Sequence, residues 1–184
     1  VDGAFTVYFR SVSETQRIDG KTYAGVTMIF NVFPYENNDI VFPAITLQVE
    51  TPDEGGFQGI KRTLKTKPKS IEVKPVPEGF SVSEWLVSQS VSVKENWSHS
   101  LNSIKVGDVV ERRISRSVAG NVSGLIPPLE WDTIKGVSIY LGRSEVNDVR
   151  TRTSITAERS DGITYLFERE GEVIIPAMEI SWWN

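Results

Sequence analysis

With 184 residues, 39% of them hydrophobic and 24% charged, the chain has the composition of a folded globular protein with a real core, not of a disordered one. A net charge of -4 argues against a nucleic-acid surface, and no apolar run approaches the ~18 residues of a membrane span. The chain has no cysteine, which removes thiol nucleophiles, disulfides, iron–sulfur clusters and thiolate zinc sites together, and its length admits one domain or two small β modules.

Taken in chain order, the local signals are those of strands. Phe5, Val7 and Phe9 alternate with Thr6, Tyr8 and Arg10, Asp19-Gly20 marks a hairpin turn, and Val26, Met28, Phe30 and Val32 form a second period-two series. Residues 40–45, 59–66 and 70–74 extend the pattern, and residues 83–87 allow at most one helical turn. Val91 with Val93 starts another strand. Arg112, Arg113 and Arg116 are expected on the solvent face of a strand or in cross-strand ion pairs. Ile163, Tyr165 and Phe167 close the series. The prediction is an all-β fold. Its core candidates are Phe5, Val7, Phe9, Met28, Phe30, Val73, Val93, Trp97, Ile114, Tyr165, Phe167 and Ile175.

An internal repeat refines this. Residues 10–23, RSVSETQRIDGKTY, match residues 152–165, RTSITAERSDGITY, with Arg, Arg, Asp, Gly, Thr and Tyr in register. Further on, Ile40-Val41-Phe42-Pro43-Ala44-Ile45 echoes Val173-Ile174-Ile175-Pro176-Ala177-Met178. Each copy is expected to run strand, Asp–Gly turn, strand, turn, strand ending in Pro–Ala, as a duplicated β-domain would. The joint falls at Lys74-Pro75-Val76-Pro77-Glu78-Gly79, where prolines preclude a central strand. The expected division is therefore 1–76 and 77–184, two tandem immunoglobulin-like sandwiches, the first without its N-terminal strands. Both ends look cut from a longer chain.

The order of several elements carries a resemblance. Lys67-Pro68 leads into Ile71-Glu72-Val73-Lys74-Pro75-Val76-Pro77, followed by Trp85-Leu86-Val87, Glu95-Asn96-Trp97-Ser98 and Val106-Gly107-Asp108-Val109-Val110-Glu111-Arg112. Gly124-Leu125-Ile126-Pro127-Pro128-Leu129 comes next, and 171–184, GEVIIPAMEISWWN, ends the chain. This succession resembles the BatD family, the oxygen-tolerance proteins of the bacterial aerotolerance operon, most densely over residues 67–184. The resemblance implies immunoglobulin-like domains on the periplasmic side of a bacterial inner membrane, anchored by a membrane helix outside this stretch. It also implies von Willebrand A-domain membrane proteins of the same operon as partners. It supplies no catalytic residues.

The residues themselves point to binding, not catalysis. Trp182-Trp183 closes the second Pro–Ala strand, where strand alternation sends at most one ring into the core. With Trp85, these tryptophans are the candidate partner contacts, since Trp is enriched at binding hot spots. They also suit a glycan-binding or adhesive module, the alternative reading. The basic run 61–69 is expected to guard an edge strand against aggregation. Asp53-Glu54-Gly55-Gly56 and Asn147-Asp148 are expected to be turn residues and not calcium ligands. His99, between Ser98 and Ser100, is expected to be a solvated loop residue. Met28 and Met178 are expected to be buried, which makes them a poor oxidation switch. No cofactor, metal or catalytic set is expected, and the expected role is a non-catalytic scaffold for protein–protein contacts.

Overall fold

A computed structural model describes residues 1–35, 38–52, 59–79 and 86–184. The chain divides into two compact units, Val1–Pro77 and Glu78–Asn184. Both are built from antiparallel strands in open sheets, an all-β, sandwich-like fold. Among the described residues no helix is long and apolar enough to cross a membrane.

Among its described residues the first unit has the strands β1 (Ala4–Ile18), β2 (Lys21–Pro34), β3 (Ile40–Phe42), β4 (Thr46–Pro52), β5 (Gly59–Lys65) and β6 (Lys69–Ile71). They pair as β1–β2, β3–β6 and β4–β5. The β1–β2 hairpin turns at Asp19 and Gly20, with φ of 49° and 79°, the two positive values that a two-residue hairpin turn demands. A register shift falls between Tyr8 and Arg10. Packing concentrates at the base of the hairpin, where Phe5 meets Phe33, Tyr8 meets Phe30, and Phe30 reaches Phe42 with ring centroids 5.3 Å apart. Beyond it, all of residues 11–24 are exposed. Among the described residues of this unit the buried hydrophobics are Ala4 and Ile40. Phe5, expected in the core, is exposed, with its ring 6.4 Å from that of Phe33. The first half of the basic run, residues 61–65, lies on β5, which is exposed throughout and, among the described residues, paired with β4 alone; Lys69 begins β6.

The second unit carries β7 (Val91–Trp97), β8 (Val109–Ala119), β9 (Val137–Leu141), β10 (Glu145–Arg150) and β11 (Ile155–Phe167). Their order is β10-β11-β8-β7, with β9 on the same edge of β11 as β10: β10 pairs its first half, β9 its second. Strict alternation on β8 turns Val110, Arg112, Ile114, Arg116 and Val118 inward. On β11 the inward set includes Ile155, Ala157, Asp161, Ile163, Tyr165 and Phe167.

Several expectations are corrected here. Asp161-Gly162 is no hairpin turn; both residues lie within β11 and pair with Ile114 and Arg113 of β8. Residues 173–178 form no strand, and Val173 and Ile175 pack on the core as extended chain without a ladder. Val93, expected in the core, is exposed. It lies midway along β7, between Val91, which packs on one apolar cluster, and Trp97, which packs on another, and it joins neither. Met28 and Met178 are half-buried, not enclosed. Of the expected helical turn, residues 83–85 lie outside the described residues, while Val87 makes a parallel bridge to Trp183.

Candidate functional site

The inward face of the second unit is not uniformly apolar. One cluster, Val110, Val137, Ile163, Tyr165 and Phe167, gathers Trp97, Trp131 and Ile175 around it. A second, Leu86, Val118, Ile126 and Ala157, sits toward the other end of β8 and β11. Between them lies a belt of charge. Arg112 and Arg116 on β8 are 8% and 3% exposed, and Asp161 on β11 is 5% exposed. Of the two expectations for these arginines, the solvent face is corrected for Arg112 and Arg116, which instead make cross-strand ion pairs to Glu95 and Asp161. Arg113, of opposite parity, does face out and meets the exposed Glu145 at 3.0 Å.

Register builds the belt. Arg116 pairs with Arg159 across the β8–β11 ladder, two positions from the Asp161–Ile114 pair, so one carboxylate lies between two guanidiniums. Arg116 Nη2 donates to Asp161 Oδ2 at 2.5 Å, and Arg159 Nε donates to both Asp161 oxygens at 3.1 Å. Ser144, in the break between β9 and β10, donates its hydroxyl to Asp161 Oδ1 at 2.6 Å and accepts from Arg159 Nη2. Arg159 Nη1 reaches the Ile126 carbonyl at 3.3 Å. Next to this set, the Ser115 and Ser160 hydroxyls bond across the same ladder.

Burial alone would raise the Asp161 pKa. The hydrogen bonds from Arg159 and Ser144, with the charges of Arg116 and Arg159, outweigh it and hold the carboxyl below its ordinary value. Burial likewise pulls Arg116 down from its usual value, against the charge and hydrogen bond of Asp161 and with the charge of Arg159. Arg116 Nε is buried and has no hydrogen-bond acceptor among the described residues.

Arg112 is held differently. Its Nε donates to Glu95 Oε1 on β7 at 2.7 Å. Its guanidinium lies over two indoles, 5.1 Å from the Trp97 ring and 5.7 Å from the Trp131 ring. Trp97 in turn stacks on Tyr165 with centroids 5.9 Å apart. Arg112 and Arg116 both line a cavity of about 610 Å³ together with Leu86, Ile134, Tyr165 and residues 127–132 and 176–181. The arrangement sets two guanidiniums beside aromatic faces, with the carboxylates of Glu130, Asp132 and Glu179 lining the same cavity.

The residues singled out in the sequence lie elsewhere. Trp182 and Trp183 are both substantially exposed, 41% and 46%, so neither ring fills the core. The backbone explains why. Trp183 N–H donates to Leu86 O, and Ser88 N–H donates to Trp183 O, so this segment is pinned by its main chain beside residues 86–88. Trp85 and Asp53-Glu54-Gly55-Gly56 lie outside the described residues. Asn147 and Asp148 stand in β10, not in a turn: Asn147 bonds Glu158, and Asp148 accepts the Ser123 N–H at 2.7 Å. His99 is exposed, its Nδ1 3.0 Å from Ser98 Oγ. Sequence reasoning offers cross-strand ion pairs for these arginines but misses their burial and the place of Asp161 among them. The available signal is parity, since Arg112 and Arg116 share the even register of Val110, Ile114 and Val118. No family model matches the chain, and neither a curated protein nor a solved structure matches it significantly.

Proposed function

We propose that the chain is a non-catalytic interaction region of the BatD-like kind, a tandem immunoglobulin-like scaffold on the periplasmic side of a bacterial inner membrane. Its partners in this reading are von Willebrand A-domain membrane proteins of the same operon, and the tolerance it confers arises through envelope complexes and not through redox chemistry of its own. One observation carries the interaction role: β1 and β2 pair only with each other, so among the described residues both outer edges of a long hairpin stay open. Its distal part exposes Val12, Ile18, Tyr23 and Val26. A two-stranded ribbon is marginal alone in water, and open edges with apolar side chains suit strand addition by a partner.

The test is recovery of the full-length protein from native membranes with its bound proteins, comparing wild type with Tyr23→Asp/Val26→Asp. Both positions are more than half exposed, so the fold survives the change. A-domain proteins co-purify with wild type and fall about tenfold or more in the variant, the scale of a lost hot spot. Equal recovery overturns the reading. Glycan binding lost in Trp183→Ala favours instead a glycan-binding or adhesive module, for which the adjacent exposed rings of Trp182 and Trp183 provide the surface.

A further inference from the structure

We propose that the outer edge of β2 pairs with the same edge of a second copy of this chain, antiparallel and about a two-fold axis at Ala24. Composition singles out that edge. After Lys21, none of residues 22–34 is charged. Other outer strands carry charge along their length, Lys61, Arg62 and Lys65 on β5 and Lys94 and Glu95 on β7. Such charges keep an open edge from pairing with another chain. β2 lacks them, and among the described residues its outer edge is unpaired.

Exposure and register set the geometry. Residues 21–27 are exposed apart from the half-buried Gly25, and β2 is half-buried from Met28 onward, so pairing is confined to a stretch centred on Ala24. Ile18 and Lys21 are register partners across the two-residue turn. Such a turn closes on a hydrogen-bonded pair, and the antiparallel ladder alternates from there. Tyr23 and Gly25 therefore turn their N–H and C=O toward β1, while Thr22, Ala24 and Val26 present theirs to the open edge. A two-fold axis at Ala24 sets Thr22 against Val26 of the second copy, and Ala24 against its own counterpart. In each pair both residues offer outward donors and acceptors.

The facing side chains select a second copy over a strand of another protein. Tyr23 falls opposite Gly25 of the second copy, and its ring covers the space that a glycine leaves. Lys21 falls opposite Thr27, whose hydroxyl donates to Glu14 Oε1 at 2.9 Å. The Lys21 ammonium of one copy is thus brought to the Glu14 carboxylate of the other, and symmetry makes the contact twice. Within one chain the two stay apart, since Lys21 pairs with Ile18, roughly 13 Å along β1 from Glu14 at ~3.3 Å per residue. The product is a four-stranded sheet, which relieves the marginal stability of an isolated ribbon. This inference rests on the reading of the hairpin as the interaction element and adds that the hairpin works as a pair.

Sedimentation velocity of the purified protein alone, across a wide range of concentration, tests it. Wild type passes reversibly from monomer to dimer with a dissociation constant on the order of 10 μM, weak because one strand pair is a small contact. Lys21→Glu and Glu14→Lys each weaken the dimer by about fivefold or more, and the two together restore it to within about twofold. Ala24→Pro removes an N–H from the β2 edge and abolishes the dimer. Thr15→Pro, at the register partner of Ala24, removes one from the β1 edge and leaves the dimer intact. Circular dichroism checks that each variant is folded. No rescue in the double charge swap, or equal loss in Ala24→Pro and Thr15→Pro, overturns the proposal. A wild type that stays monomeric while A-domain proteins still co-purify with it also overturns it, and gives the edge to another protein's strand. A dimer that forms without any A-domain protein co-purifying defeats the partner reading alone.

Discussion

Asp19 and Gly20 occupy the tip of the β1–β2 hairpin with positive φ at both residues, while Asp161 and Gly162 lie inside β11, paired with β8 on one side and facing the gap between β9 and β10 on the other. The two pairs share their dipeptide and the flanking Arg, Thr and Tyr. They differ in neighbours. Asp19 is exposed, and nothing lies near the place a Gly20 side chain would occupy. Asp161 meets Arg116, Arg159 and Ser144, and Gly162 takes the Gly142 N–H at 2.8 Å on its carbonyl. Where the chain would have turned at Asp161, the irregularity moves to the adjacent edge strand, which breaks between Leu141 and Glu145. Turn chemistry is a local preference of modest size, and a buried carboxylate with two guanidinium partners overrides it.

The sharpest way to break this contrast is to neutralise each aspartate. Asp161→Asn leaves the buried Arg116 and the half-buried Arg159 without their counter-charge. Removing one partner of a buried pair typically costs about 3–5 kcal/mol. Asp19→Asn changes little, since Asn also tolerates the left-handed region in an exposed turn. Denaturant unfolding of both variants reads the difference directly. A loss below about 1 kcal/mol in Asp161→Asn, on the scale of a surface ion pair, would mean the belt is not the element that holds β11 straight.

Acid gives a second reading of the same pair without mutation. The folded state holds the Asp161 carboxyl below its ordinary value, whereas the unfolded chain titrates near the ordinary aspartate value of about 3.9. Unfolded chains therefore take up protons first as pH falls. The contribution of Asp161 is fully present above that value and is lost as pH drops through the lower, folded one. Stability measured from pH 6 downward falls in wild type and falls less steeply in Asp161→Asn. Parallel profiles would show that Asp161 is not held in its ionised form.

What is legible in the sequence is what acts locally. The hairpin at Asp19-Gly20, the strands around Phe30 and Tyr165, and the exposed edge character of residues 61–65 follow from period-two alternation and turn residues, which act over a few positions. The charged belt, the strand identity of Asp161 and the irregular path of residues 173–178 follow from contacts between distant segments. Arginine is seldom fully buried, so the sequence places Arg112 and Arg116 on a solvent face or in cross-strand ion pairs, and not in an interior. That prior fails where a carboxylate on a neighbouring strand arrives at the same register, and Asp161 itself carries the local signature of a turn. One misleading residue thus hides the other two. Trp182 and Trp183 fail differently, since alternation does not govern a segment that forms no strand.

At the hairpin tip, Gly20→Ala sharpens the comparison on the backbone alone. Gly20 has φ of 79° and nothing within 4 Å of the point where a methyl would be added, so the whole effect is the strain of a left-handed residue, about 1–2 kcal/mol. Because the site is exposed and local, the loss appears as fraying of the β1–β2 hairpin. Amide exchange is faster across residues 11–27 and unchanged in β8 and β11. Uniform slowing or no change at all would place the turn outside the reach of its own conformational preference.

The matching change at Gly162 has the smallest expected effect and the opposite sign. Gly162 lies outside the left-handed region, and an added methyl meets only the Arg112 carbonyl at 3.9 Å and Arg113 Nη2 at 4.0 Å, ordinary contacts. Glycine inside a strand is the less stable choice because the unfolded chain gains more from its freedom. Gly162→Ala therefore stabilises the protein by about 0.4–1 kcal/mol, the gain expected where the native backbone accepts alanine without strain. The pair of variants makes the test internal: one Asp–Gly loses stability on Gly→Ala and the other gains it, in the same chain and the same denaturant. If both lost stability equally, Gly162 would share the strained geometry of a turn, and the straight path of β11 past Asp161 would be wrong.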